Sequence, residues 1–157
     1  MNNKEIYAND VVTCIVKGAY NCLYISSLKG GVKELNLTSG KLRDLLLKDE
    51  DNESIYCRTL LFATDNELWI GTESGAYIYN LRTGKYTHLR SSEYDPYSLS
   101  DNAIYSFCKD REDGIWIGSY FGGVNYYPRS YTHFEKYYPK GEENSCLLYT
   151  SPSPRDS

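Results

Sequence analysis

The chain has 157 residues, a formal net charge of -4 and no cluster of lysine or arginine, which argues against a nucleic-acid partner because phosphate neutralisation needs a concentrated positive surface. Its 41% apolar and 15% aromatic content, with 17 tyrosines, is ordinary for a β-rich globular protein. No apolar run approaches the roughly 20 residues that span a bilayer, and residues 1–10 lack the apolar core of a signal peptide.

One short phrase occurs three times along the chain. It reads LYIS at 23–26, LWIG at 68–71 and IWIG at 115–118, so that successive copies start 45 and 47 residues apart. A fixed period in this range, carried by short β-type segments, is typical of propeller blades. A residue that returns in each copy is expected to serve packing rather than catalysis.

Each copy predicts four strands. The first strands are predicted at 11–16, 55–62 and 104–108, the recurring phrase forms the second strands, and the third strands follow Gly31, Gly75 and Gly123. Ser39-Gly40 and Thr83-Gly84 predict hairpins into the fourth strands, with glycine at positive φ.

The third copy departs from this pattern after its third strand. The segment 128–130 replaces the Ser/Thr-Gly turn, and 131–134 (YTHF) then echoes 86–89 (YTHL). His133 is therefore expected to match His88, and both histidines are interpreted as parts of the repeat rather than as catalytic groups.

Alternating side chains such as those of 104–107 place bulky apolar groups on both faces of a strand, and both faces must be covered. Stacking of blade on blade covers them. Trp69 and Trp116, with Tyr24 at the same place in the first copy, are expected to fill the space between blades, and Gly71 and Gly118 complete these structural anchors.

The expected fold is all-β: a β-propeller with about three four-stranded blades of an incomplete ring. The blades are predicted at 1–53, which is degenerate, 54–101 and 102–145. Because three blades cannot close a ring of roughly four to eight, the isolated segment 1–145 is expected to aggregate or to fold only in part.

The last twelve residues, 146–157 (CLLYTSPSPRDS), resemble the translation of a transposon-end adapter used in sequencing libraries. The alternative is a natural Ser/Pro-rich tail. The register favours the adapter, because Asn144-Ser145 matches the start of the linker at 97–104 and Cys146 stands where leucine should follow. We therefore expect a non-native tail and a chain cut from a longer gene.

No catalytic constellation, metal motif or cofactor motif is present in the sequence. The five cysteines lack CxxC or His-paired spacing, and they are interpreted as small apolar fillers, although Cys14 and Cys22 could bridge adjacent strands. We expect no enzyme activity, no cofactor and no metal in this segment.

The stretch 95–106 (DPYSLSDNAIYS), followed by 110–125 (DREDGIWIGSYFGGVN), closely resembles the two-component regulator propeller repeat. The second copy, with 65–72 (DNELWIGT) and Gly75, is similar. The first copy is degenerate, because Tyr24 replaces the tryptophan and Ser26 the glycine. The resemblance extends over residues 11–145.

The resemblance implies a fragment of the periplasmic sensor region of a hybrid two-component protein from Bacteroides-like bacteria. Such sensors typically detect oligosaccharides released from glycans, so the implied partners are an oligosaccharide and neighbouring blades, with a homodimer of the parent as a further possibility. No nucleic-acid contact is expected from this segment, and the signalling chemistry would lie outside it.

In a four-stranded blade, the linker into the first strand and the turn between the second and third strands lie on the same side of the disc. That side would hold the non-repeating loops 27–30, 73–74, 95–101 and 119–122. Exposed aromatic rings there suit the apolar C–H faces of sugars, which nominates Tyr97, Tyr120 and Phe121 as ligand-binding residues. The alternative is that these rings pack the loops against the next blade.

Two other readings use the same fold. Sialidases, lactonases and quinone-dependent dehydrogenases are propeller enzymes, and other propellers are binding scaffolds, so that fold alone does not decide function. The segment from Asp110 to Trp116 does not have the spacing of a sialidase Asp box, and the Gly-His and Trp-Asp marks of WD40 repeats are missing. The gene downstream would discriminate these readings.

Overall fold

The computed structural model describes residues 5–7, 9–129 and 135–137, the last three as a strand backbone. The expected tail at 146–157 lies outside these residues, and the blade limits at 53 and 101 stay predictions. All the secondary structure described is strand and turn. Among these residues there is no helix with the length and apolar character that a bilayer-spanning helix needs.

The described residues form twelve antiparallel strands in three sheets of four, each in simple up-and-down order. The first sheet contains β1 Val12–Lys17, β2 Cys22–Ser27, β3 Gly31–Asn36 and β4 Leu42–Leu46. The second contains β5 Cys57–Thr64, β6 Glu67–Thr72, β7 Gly75–Asn80 and β8 Tyr86–Leu89. The third contains β9 Ile104–Lys109, β10 Ile115–Ser119, β11 Val124–Tyr127 and β12 Glu135–Tyr137. The expected all-β, incomplete propeller of three four-stranded units is confirmed.

The hairpins between third and fourth strands explain why the Ser/Thr-Gly pairs recur. Gly40 and Gly84 both have φ of 73°, a conformation that glycine adopts without steric cost. Asn36 and Asn80 begin these turns, and each side-chain Oδ1 accepts two backbone N–H bonds at 2.9 to 3.1 Å. The side chain thus holds the turn from inside, as expected for asparagine at such positions.

Two hydrophobic clusters hold the sheets together, one at each sheet-to-sheet boundary. Tyr24, Leu60 and Ile70 are buried between the first and second sheets. Trp69, Ile104 and Ile117 are buried between the second and third. Across these boundaries β1 contacts β5, and β5 contacts β9. They are therefore the innermost strands, where neighbouring blades converge.

The strand register corrects the expected equivalence of His88 and His133. Gly71 pairs with Ala76 and Gly118 with Val124, which makes Tyr77 and Asn125 equivalent. Tyr77 pairs with His88, but Asn125 pairs with Lys136. Lys136 therefore occupies the position equivalent to His88, because the hairpin between the third and fourth strands is longer in the third sheet than in the second. His133 itself lies outside the described residues.

Four cysteines, Cys14, Cys22, Cys57 and Cys108, lie in the described part of the chain, and all are free thiols. Burial raises the pKa of the Cys57 thiol to about 12. Such a thiol stays protonated near neutral pH and is a poor nucleophile.

Candidate ligand-binding site

The linkers between sheets and the turns between second and third strands lie at one edge of the structure, which we call the linker edge. The same backbone bond connects a turn to the residues ahead of the first strand in all three sheets. The bonds are Leu28 N to Val11 O (2.8 Å), Glu73 N to Tyr56 O (3.1 Å) and Tyr120 N to Ala103 O (2.9 Å). The expected co-location of linkers and turns is thus observed.

Three aromatic rings form a continuous group at the linker edge, which we call the aromatic array. The centroids of Tyr120 and Phe121 lie 4.3 Å apart at an interplanar angle of 84°, and Tyr105 lies 5.4 Å from Tyr120. All three remain open to solvent, with 43% of Tyr105, 58% of Tyr120 and 86% of Phe121 exposed. In the described part of the chain, these rings therefore present apolar surface to solvent.

The linker ahead of β9 fixes the turn that carries this array. The carboxylate of Asp101 accepts the Phe121 N–H at 2.8 Å and the Ala103 N–H at 3.3 Å. The Ser100 hydroxyl donates to the Gly122 carbonyl at 2.7 Å. The turn therefore has a defined conformation although its rings are exposed, and a ligand would not have to order it on binding.

Arg58 and Glu73 bring charged groups to the array. The Arg58 guanidinium lies over the Tyr105 ring, 4.3 Å from its centroid, and forms an ion pair with the Glu73 carboxylate. Cys57 pairs with Thr72 in the second sheet, and Ile104 pairs with Ser119 in the third, so these two pairs are equivalent. The residues that follow Cys57 and Ile104, Arg58 and Tyr105, therefore hold the same place in neighbouring innermost strands. A pair that meets only when two blades converge leaves no motif in the sequence, and the sequence did not nominate either residue.

Tyr97, the third residue nominated from the sequence, lies on the linker 90–103. Its backbone N–H donates to Asp95 Oδ1 at 2.9 Å, and 54% of the residue is exposed. The structure therefore places Tyr97 at the linker edge and brings Tyr120 and Phe121 into contact with each other and, through Tyr120, with Tyr105.

The anchor residues lie on the sheet faces. Trp69 is completely buried and meets Phe107 and Tyr127 of the third sheet edge-on, at 5.8 and 5.1 Å. Tyr24 is buried between the first two sheets, 5.0 Å from Phe62. Trp116 is partly buried and packs on Tyr126 of its own sheet, since the described residues contain no following sheet.

Both anchor glycines stand where little room is left beside the strand. A Cβ on Gly71 would come within 2.6 Å of Thr59 Cγ2 and 2.8 Å of Ile104 Cγ2, a side chain of the next sheet. A Cβ on Gly118 would meet only the Ser106 hydroxyl at 2.5 Å, with the next atom at 3.8 Å. Glycine at 71 therefore permits the close approach of two sheets.

Asp110, the first residue of the segment compared with an Asp box, has a structural role. Its carboxylate accepts the Trp116 Nε1–H at 3.0 Å and the backbone N–H groups of Glu112 and Gly114 at 2.9 and 3.0 Å. Burial acts to raise the pKa of this carboxyl, but these bonds outweigh it and hold the pKa below its usual value. Asp110 thus fixes the turn between β9 and β10, on the opposite side from the linker edge.

His88 links the linker 47–56 to the turn next to Glu73. Its ring stacks on Tyr77 with centroids 3.9 Å apart, Nε2 lies 2.7 Å from the Ser74 carbonyl, and Nδ1 lies 3.0 Å from the Glu50 carboxylate. No group of three or more potential metal ligands occurs among the described residues. The contacts of its ring with Tyr77, Ser74 and Glu50 make His88 a connector between the second sheet, the turn and the linker.

The fold is similar to solved propellers. Two crystal structures of the extracellular domain of BT4673 from B. thetaiotaomicron, described once as a one component and once as a hybrid two component system, match with a TM-score of 0.64. Their identities are 21% and 18%, and the matches cover 78% and 87% of this chain. A chain of the mitotic checkpoint complex also matches, with a TM-score of 0.59, 18% identity and 78% of this chain. At such identities the likeness concerns the fold.

The chain spans a small part of these proteins, 16% and 17% of the two BT4673 chains and 36% of the mitotic checkpoint chain. No curated protein matches it in sequence. The family model of the two component regulator propeller matches residues 98–121, which contain the end of the linker, β9, β10 and the turn with Tyr120 and Phe121. Residues 98–121 of this chain are a two component regulator propeller repeat.

Proposed function

We propose that this chain is part of the ligand-sensing propeller in the periplasmic region of a hybrid two-component sensor, and that its ligand is an oligosaccharide derived from a glycan. The repeat at 98–121 and the fold shared with the extracellular domain of BT4673 support the sensor assignment. The neighbouring blades would be its permanent partners, with a homodimer of the parent as a further contact.

The observation that carries the ligand class is the exposed aromatic array on a turn that the linker holds in place. The apolar C–H face of a sugar ring stacks on a π system, and a turn whose backbone is fixed in advance lowers the ordering cost of binding. Phe121 exposes most of its surface although Asp101 accepts its backbone N–H and Ser100 donates to the carbonyl of the next residue, Gly122. Tyr97 adds a further exposed ring at the same edge.

The test uses the complete parent protein, obtained from the contiguous gene, and a panel of oligosaccharides from enzymatic digests of plant and host polysaccharides. Alanine variants at Tyr97, Tyr120 and Phe121 are compared by isothermal titration calorimetry with any oligosaccharide that binds the wild type. Tyr20→Ala is the matched control, because Tyr20 is 91% exposed in the turn between β1 and β2, away from the linker edge.

We expect Tyr120→Ala and Phe121→Ala to lower affinity by about tenfold or more, as for stacked rings in an interface, and Tyr20→Ala to leave it unchanged. Unchanged affinity in all three linker-edge variants contradicts the proposal. A parent protein without a membrane segment and kinase downstream would instead favour a binding scaffold or a propeller enzyme.

A further inference from the structure

We infer that the linker edge takes a neutral oligosaccharide and rejects one that carries uronate or sulfate groups, with a pair of sugar hydroxyls bound between Arg58 and Glu73. This inference rests on the proposed function and names the ligand class of the same site. It follows from the arrangement of charge around the aromatic array.

The cation closest to the array is already neutralised. Arg58 Nε and one Nη both contact the same oxygen of Glu73, Oε1, so that the guanidinium faces a carboxylate before any ligand arrives. An anionic sugar would have to displace Glu73 or approach it closely. Like charges at such distances repel, and the partly covered site screens them less than bulk water does.

The same pair suits a neutral sugar. Glu73 Oε2 and the other Nη of Arg58 have no hydrogen-bond partner among the described residues, and both side chains are about one-third exposed. They offer an acceptor and a donor side by side. Two adjacent hydroxyls of a sugar can donate to Glu73 and accept from Arg58 at once, while the neighbouring ring faces the array.

The loops around the array add negative charge. The linker 90–103 carries three acidic residues, Glu93, Asp95 and Asp101, and one basic residue, Arg90. The Glu50 carboxylate lies close enough to Arg90 to interact with it. The linker 47–56 also carries more acidic than basic residues, since Lys48 is its single basic residue. The field at the linker edge is therefore unfavourable to anions and has little effect on a neutral ligand.

The experiment presents two panels to the complete parent protein. The neutral panel contains oligosaccharides from arabinan, xylan and β-glucan, and the acidic panel contains oligogalacturonides and chondroitin sulfate disaccharides. Binding is measured by calorimetry at low and high salt for the wild type, Arg58→Gln and Glu73→Gln. Arg43→Gln is the matched control, because Arg43 forms an exposed ion pair with Glu34 in the first sheet.

We expect binding from the neutral panel only, with an affinity that salt leaves unchanged. Arg58→Gln and Glu73→Gln should each lower that affinity by about tenfold or more, as for lost bonds to charged groups, and Arg43→Gln should not change it. Thermal unfolding checks that each variant is folded. The comparison of panels on the wild type does not depend on any variant.

The experiment distinguishes a failure of this inference from a failure of the proposed function. Tight, salt-sensitive binding of an acidic oligosaccharide that Arg58→Gln abolishes would refute this inference and leave the proposed function intact. Failure of both panels to bind, or binding that none of Tyr97→Ala, Tyr120→Ala and Phe121→Ala changes, would refute the proposed function itself.

Discussion

The carboxylate of Asp101 accepts a 2.8 Å hydrogen bond from the backbone N–H of Phe121, 20 residues further along the chain. Asp10 has the same relation to the first sheet, where its carboxylate receives the Ser27 hydroxyl at 2.7 Å and the Lys29 N–H at 3.2 Å. A linker aspartate thus holds the turn between second and third strands in two of the three sheets. The turns differ in sequence, but their support is shared.

Asp101→Asn should lower oligosaccharide affinity by about tenfold, because the amide keeps one acceptor oxygen where the carboxylate used two, and a bond to a charged group is worth about 1.5–3 kcal/mol. Asp101→Ala, which removes both acceptors, should lower it further. Calorimetry on the complete protein measures both variants. If affinity survives in Asp101→Ala, Phe121 is held by other contacts or takes no part in binding.

Gly71→Ala should destabilise the protein by about 1–3 kcal/mol, the usual cost of overpacking. The new methyl group would meet Thr59 and, from the next sheet, Ile104, and neither can move without disturbing the boundary between sheets. In a protein that ended with the third sheet, Gly118→Ala would cost less because only the Ser106 hydroxyl would have to rotate. Urea unfolding of the complete protein measures the cost at Gly71, and a neutral Gly71→Ala would show that the boundary is looser than described.

Trp69→Ala should cost about 3–5 kcal/mol, as for a large aromatic removed from a core, because Trp69 is fully buried against Phe107 and Tyr127. Trp116→Ala is the informative comparison. If a further blade follows the third sheet in the complete protein, it covers Trp116 and the two costs become similar in urea unfolding. A clearly smaller cost at Trp116 would mean that no blade packs on this face.

The sequence predicted those features that each copy carries by itself. Gly40 and Gly84 predicted two hairpins correctly, because their positive φ is a local requirement. The match of His133 to His88 was wrong. It rested on a similar four-residue string that follows a longer turn in the third sheet. Strand pairing decides which residues are equivalent, and it places Lys136 at the position of His88. Local strings do not fix register when a hairpin changes length.

The contacts within the candidate site could be anticipated from the sequence only in part, for a related reason. Tyr120 and Phe121 could be nominated because they are aromatic residues of a turn that the order of strands in a blade places on the linker side. Arg58 and Tyr105 lie 47 residues apart in sequence and meet because two innermost strands converge, with the guanidinium 4.3 Å from the ring centroid. Such a contact depends on how blades pack together, so it becomes visible only in three dimensions.

Acid should weaken the contact between the linker 47–56 and the second sheet. Burial acts to raise the pKa of the Glu50 carboxyl, but its own backbone N–H and the His88 ring outweigh burial and hold the pKa below the ordinary value of 4.5. A carboxyl whose pKa is lower in the folded protein adds stability above its unfolded pKa, and this stability is lost as pH falls through the folded value.

Glu50→Gln should therefore lower the melting temperature of the complete protein at pH values above 4.5, and the difference from the wild type should shrink as the pH falls below that value. Glu53→Gln, on the same linker, is the control for a general loss of negative charge. Differential scanning calorimetry across the acid range measures both. A Glu50→Gln difference that stays constant with pH would show that the bond to His88 does not depend on the charge of Glu50.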